Sequence, residues 1–368
     1  MANINDYLIW RGDIPISKKY PFNELDSMVL ARFSYLPFHR IKMKRKETIY
    51  SIYNRMKYFP DKEFMYNGDK DLIINLGQSE RFKNLIVTDY LMDNSKKNET
   101  QFSAITIHLS KHELYISIFG TDYTIFAWKE DFNMGFMDNV PCQLAGKKYL
   151  EAISKKNKTK KIRIGGHSKG GNVSIYSAIT TNKRIQNKII KVYNYDGPGF
   201  NDKIISKYGD SNIISKIESY IPEESVIGRI LNHKEKTSII ASTEKGLYQH
   251  DIFSWQVLKD KPIKVKKNSQ SSEKIDETLT KWLETTTPEQ RKLFVDTIFD
   301  VIYSTGSNTL SDLTSNLTSN ITKMLKKYSS IDKEDKKELT NMVKLLASLY
   351  WKSYRDNKKK EKNKLKAA

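Results

Sequence analysis

Cysteine is almost missing from this sequence: Cys142 is the single one among 368 residues. That excludes an internal disulfide framework and a multi-cysteine zinc site, and it points to a reducing compartment. Long apolar runs are missing too. No stretch of about 18 uncharged apolar residues occurs, so a membrane-spanning helix is not expected. The opening Met1-Ala2-Asn3-Ile4-Asn5-Asp6-Tyr7 has neither the basic nor the apolar segment of a secretory signal. The expectation is a cytoplasmic protein, at most peripheral to a membrane. Arginine is scarce, with 11 against 52 lysines. Arg is the residue of bidentate phosphate and base recognition, and no nucleic-acid motif is visible. Despite the net charge of +20, a nucleic-acid partner is therefore not expected. Its concentrated share is the tail from Trp351 to Ala368, where eight basic residues stand against Asp356 and Glu361. Such a tail suits an anionic membrane surface.

Aromatics, in contrast, are plentiful. With 21 Tyr, 15 Phe and 5 Trp the chain is no solvated coil. Its length fits one large α/β domain, or a domain with an appendage. Residues 1 to about 100 mix aromatic and charged residues at helical spacing. Met28, Leu30, Phe33, Leu36 and Phe38 make an apolar face beside Asp26 and Arg32. Residues 101 to 258 alternate strands with helices, which predicts an open, mostly parallel sheet. A hairpin is expected where Ser110-Lys111-His112-Glu113 joins two apolar runs. Beyond the charged connection Lys259–Lys267 the pattern turns helical. Thr287-Pro288-Glu289-Gln290 starts a helix with a capping box, and Leu293, Phe294, Ile298 and Ile302 follow as its stripe. Asp332 can cap a last helix. The expected organisation is a domain over 1–258 and a helical extension over 259–368.

One segment carries chemistry. Gly166-His167-Ser168-Lys169-Gly170 is a G-x-S-x-G motif after the apolar strand Ile162-Arg163-Ile164 and before the helix-compatible Val173–Ile179. Strand, tight turn and helix are the setting of a nucleophile elbow, which lifts the serine oxygen clear of the sheet. The helix N-terminus favours negative charge developing beside it. Ser168 is thus the candidate nucleophile.

A serine nucleophile needs a base, and in this fold the chain order is serine, acid, histidine. Downstream of Ser168 stand only His233 and His250. His250 lies in a loop after the last strand, where the base belongs, and is preferred. The acid stays open. Asp196 follows the strand Ile189–Tyr195 beside a Gly-Pro-Gly turn and looks shielded, Glu223 and Glu224 follow the next strand, and Asp251 adjoins the histidine. For the oxyanion, the backbone N–H of Lys169 is one donor. Thr121, in Gly120-Thr121-Asp122 after a strand, offers an N–H and a hydroxyl as the second.

Taken jointly, several segments resemble a bacterial α/β-hydrolase family related to the class 3 (fungal triacylglycerol) lipases. They are Phe119-Gly120-Thr121-Asp122, Trp128–Asn133, the elbow Gly166–Asn172, Tyr195–Phe200 and Gln249-His250-Asp251 with Ser254-Trp255. Asp6–Asp13, Pro21–Asp26 and Gln101–Ala104 fit as well, so the likeness covers about residues 1–258. It implies an α/β-hydrolase fold, Ser168 as nucleophile, His250 as base, Thr121 in the oxyanion hole and no metal or organic cofactor. In class 3 lipases the acid follows the later strand, which keeps Glu223 and Glu224 beside Asp196. Two departures stand out: Phe119 where those lipases carry Arg, and Lys169 where they carry an apolar residue. The implied activity is lipase- or esterase-like cleavage of a carboxyl ester in a lipid or other small acyl substrate. The alternative is an idle hydrolase fold that binds a membrane surface or a protein.

Overall fold

The structure, a computed structural model, describes residues 1–95, 97, 99–266 and 270–367. The chain divides into two compact units. One holds residues 1–95, 101–120 and 141–268; the other holds 96–100, 121–140 and 269–368.

The first unit is organised by an eight-stranded sheet whose spatial order follows the chain. Its strands are β1 (Lys46–Thr48), β2 (Ile86–Ser95), β3 (Thr100–His108), β4 (Glu113–Ile118), β5 (Lys161–His167), β6 (Ile189–Tyr195), β7 (Ile217–Pro222) and β8 (Thr237–Ile240). The hairpin pair β3–β4 is antiparallel, as is β1–β2, and β4 through β8 are parallel. Parallel neighbours need crossovers. Helices Pro141–Lys156, Lys169–Thr180 and Asp202–Tyr208 lie in three of them. With helices on its faces, the sheet reads as apolar runs rather than alternation: Ile162, Ile164, Ile189, Val192, Tyr193 and Tyr195 are all buried. The architecture is α/β: a mostly parallel sheet flanked by helices, with a helical C-terminal extension.

The N-terminal stretch departs from the sequence reading in two ways. First, the stretch read by its helical spacing also supplies β1 and β2. Charged and polar residues such as Lys46, Glu47, Asp89 and Asp93 dilute their strand pattern, as is usual near a sheet edge. Second, helix Glu24–Phe33 has no solvated face, because every residue from Leu25 to Phe33 is buried. Its charges are neutralised in place. Arg32 Nε and Nη2 each donate to Asp69 at 2.7 Å, and Arg81 Nε donates to Asp26 at 2.7 Å. All four side chains are fully out of water.

The second unit is helical: Ile125–Asn133, Gln270–Thr285, Pro288–Tyr303, Leu310–Ser315, Leu317–Ser329 and Lys333–Ala367. Thr287 and Gln290 form the expected capping box, and Asp332 accepts from the Glu334 N–H at 2.7 Å. The buried stripe of the Pro288 helix is rotated from expectation. Val295 and Phe299 lie deepest, with Ile125, while Phe294, Ile298 and Ile302 flank them. The side chains of the basic tail beyond Arg355 lie outside the described residues. Among the described residues no helix is long and apolar enough to cross a membrane.

Candidate active site

The carboxyl ends of β4, β5 and β6, and the segments after β7 and β8, converge as open parallel sheets require of a site. β5 ends at His167, and helix Lys169–Thr180 begins one residue after Ser168, its N-cap. Ser168 has φ 58° and ψ −134°, a region that non-glycine residues rarely adopt. The surroundings hold it there. Its N–H donates to the Tyr195 carbonyl at 2.8 Å, and its carbonyl accepts from the Gly171 N–H at 2.9 Å. The glycine of the motif is required by close approach: a Cβ on Gly170 would lie 2.3 Å from the Ile118 carbonyl oxygen. The end of β4 therefore presses on the elbow.

Asp196 follows β6, is almost fully buried and also has positive φ, at 53°. Its Oδ2 lies 2.6 Å from His250 Nδ1. Its Oδ1 accepts from the Ser225 hydroxyl at 2.5 Å and the Gly228 N–H at 3.1 Å. Asn172, on the elbow helix, donates to the carbonyls of Pro198 and Gly199 at 3.0 and 2.7 Å, so the Asp196 loop is tied to the Ser168 helix.

The glutamates do something else. Glu224 Oε2 accepts from the Gly246 N–H at 2.5 Å, and the Glu224 N–H donates to Gln249 Oε1 at 2.8 Å. Glu224 thereby clamps the segment that carries His250. Glu223 uses its N–H on the Ile240 carbonyl. Asp251 caps Phe253, with burial pushing its carboxyl up. His233, the rejected base, pairs its Nδ1 with Glu235 at 3.0 Å.

Ser168 Oγ has no hydrogen-bond partner among the described residues. Nucleophile–base hydrogen bonds are commonly long until substrate arrives. The His250 ring stands against that of His167, the residue before Ser168, at 4.5 Å between centroids. Lys169, the first residue of the elbow helix, is buried, so its side chain does not project into solvent beside the site. Thr121 belongs to the second unit, where its hydroxyl donates to Asp131 Oδ2 at 2.5 Å. Phe119, at the departure from the lipase pattern, packs on the ring of Tyr35 at 4.5 Å.

Sequence reasoning missed the supporting groups: Ser225 and Gly228 on the acid, Asn172 beneath it, and Tyr35 and His167 behind the elbow. Only His167 and Asn172 had a signal, through their place in the motif. Among the described residues no cluster of three or more His, Cys, Asp or Glu side chains is arranged to hold a metal ion.

A family model described as Mbeg1-like matches residues 76–300. No curated protein matches the chain. Among solved structures, a fungal lipase–inhibitor complex described as a model for interfacial activation in lipases is similar at 12% identity and TM-score 0.39, over 60% of this chain and 80% of that one. Lipase II from Rhizopus niveus is similar at 11% identity and TM-score 0.37, over 58% and 79%.

Proposed function

The chain belongs to the lipase-like Mbeg1-like family, and from that premise we propose that it is a serine hydrolase cleaving the carboxyl ester of a lipid or other acyl substrate. The observation that carries this reading is the 2.6 Å contact of His250 Nδ1 with buried Asp196, beside a serine held at positive φ where a strand meets a helix. Asp196 fixes the imidazole with its proton on Nδ1, which leaves Nε2 bare to take the Ser168 proton. Ser168 Oγ then attacks the acyl carbonyl. The N–H of Lys169 receives the oxyanion, and the alcohol leaves with the proton returned by His250. Water, activated by the same imidazole, releases the acid from the acyl-enzyme. Asp196 also stabilises the imidazolium that forms, a role its two further hydrogen-bond donors support by holding it in register.

A fluorophosphonate probe tests this. Wild type should label covalently and Ser168→Ala should not. Asp196→Asn should label and turn over ester on the order of 10⁴-fold more slowly, since it loses control of the tautomer. An unlabelled wild type, or equal labelling of Ser168→Ala, defeats the reading.

A further inference from the structure

Behind the elbow lies a buried imidazole that the mechanism above leaves unused. His167 is fully buried. Its Nε2 lies 2.8 Å from the backbone carbonyl oxygen of His250. A carbonyl only accepts, so this nitrogen must carry the proton, and Nδ1 is then a bare acceptor in the neutral ring. Tyr35 places its one hydroxyl proton between that nitrogen and the His167 carbonyl. Its hydroxyl lies 3.2 Å from His167 Nδ1 and 3.1 Å from the His167 carbonyl. The same hydroxyl sits against Gly120, where an added Cβ would come within 2.0 Å of it. Three segments of the site thus meet at one buried pair: the end of β4, the elbow and the loop of the base.

We infer that His167 is a positioning residue, a neutral Nε2–H strap that holds the His250 backbone in register with Ser168, its tautomer fixed by the His250 carbonyl it donates to. The inference rests on the hydrolase reading for its kinetic consequence but not for its geometry. The His250 ring is aimed from two sides. Asp196 sets its rotation through Nδ1, and His167 sets where its backbone stands. The rest of the loop is tied at other points, by Trp255 Nε1 on the Gln249 carbonyl at 2.8 Å and by the Glu224 clamp. No other hydrogen bond is recorded to the His250 carbonyl among the described residues. The environment suits a neutral ring. Burial first, then the charges of His250 and of Arg32, holds His167 well below the usual histidine range. Arg32 itself lies over the face of Tyr35 at 4.0 Å.

The strap is tested by changing one donor. His167→Leu removes it and leaves the His250 carbonyl unpaired, whereas His167→Gln can place an amide N–H near the same point. Misplacing a catalytic group by about 1 Å costs on the order of a hundredfold. We therefore expect His167→Leu to lose about that factor in kcat, and in fluorophosphonate labelling rate, with KM nearly unchanged and the chain still folded. His167→Gln should recover most of the rate. In parallel, ¹⁵N imidazole spectra of the wild type at neutral pH should show His167 as the Nε2–H tautomer. An Nδ1–H tautomer or a cationic ring overturns the strap whatever the activity. So does a His167→Leu that keeps full rate, or a His167→Gln no better than Leu. If wild type never labels, the hydrolase reading falls and the tautomer alone decides the strap.

Discussion

The two units meet water differently. In the first, charge goes inside: Arg32, Asp69, Arg81 and Asp26 are wholly buried, and each has its counter-ion within hydrogen-bond distance. In the second, about half as long, proportionally more apolar surface stays outside, although the first also exposes Ile9, Leu247 and Leu258. Leu325 is 64% exposed and Trp351 59%, with Leu317, Ile321 and Val343 also half open to solvent. The difference follows from interior size. A covered sheet with a long aromatic-rich core can enclose ion pairs; a helical unit whose deepest cluster is Ile125, Val295 and Phe299 has little inside to fill. Buried pairs contribute little net stability against an apolar replacement, yet they are costly to break, because the partner is left charged and dry. One unit is thus specified by polar matching and the other by helix caps and a small apolar seam.

The contrast can be broken most forcefully at Asp69. Asp69→Asn strands the Arg32 guanidinium and should lower the unfolding free energy by roughly 3–5 kcal/mol in urea titration. A double replacement of Arg32 and Asp69 by apolar residues of similar volume should restore much of that loss.

Acid should act next, through Glu235. Burial alone would push its carboxyl up, but the hydrogen bond and charge of His233, together with the Ser219 hydroxyl at 2.7 Å, outweigh burial and hold it at about 2. A depressed pKa means the stabilisation is complete above the unfolded value of 4.5 and is lost as pH falls through about 2. The amount is on the order of 3 kcal/mol. Urea midpoints of wild type and Glu235→Gln should therefore be well separated at pH 6 and converge toward pH 2.

The smallest effect belongs to the second unit. Leu325→Gln changes a side chain already in water and should alter stability by less than about 0.5 kcal/mol. A larger loss would mean that this face of helix Leu317–Ser329 is covered in solution, and the contrast between the units would narrow.

Local signals made much of this legible in the sequence. The parallel strands announced themselves because covered strands are continuously apolar, and the elbow because three constraints coincide on five residues. Caps at Thr287 and Asp332 depend on neighbours two or three residues away, so they too could be read. What escaped depends on long-range pairing. Nothing near Arg32 in the chain marks Asp69 as its partner, so helix Glu24–Phe33 read as amphipathic when it is buried all round. The choice among Asp196, Glu223 and Glu224 was equally non-local. All three follow strand ends, and only the fold shows Asp196 on the imidazole and Glu224 on the Gly246 N–H. The single cut near residue 258 could not anticipate that residues 121–140 cluster with the C-terminal helices.

The backbone of Asp196 carries one more consequence. At φ 53° the position lies where aspartate, asparagine and glycine are at home and most longer side chains are strained. The repertoire open to mutation there is therefore narrow before any question of catalysis is asked. A glutamate would keep the charge but not the reach to Ser225 and Gly228 that the shorter carboxylate has from this backbone. Of the neighbours that the backbone does admit, asparagine and glycine both surrender the carboxylate. Under the proposed hydrolase reading the identity of the acid is decided twice, once by chemistry and once by the turn that holds it.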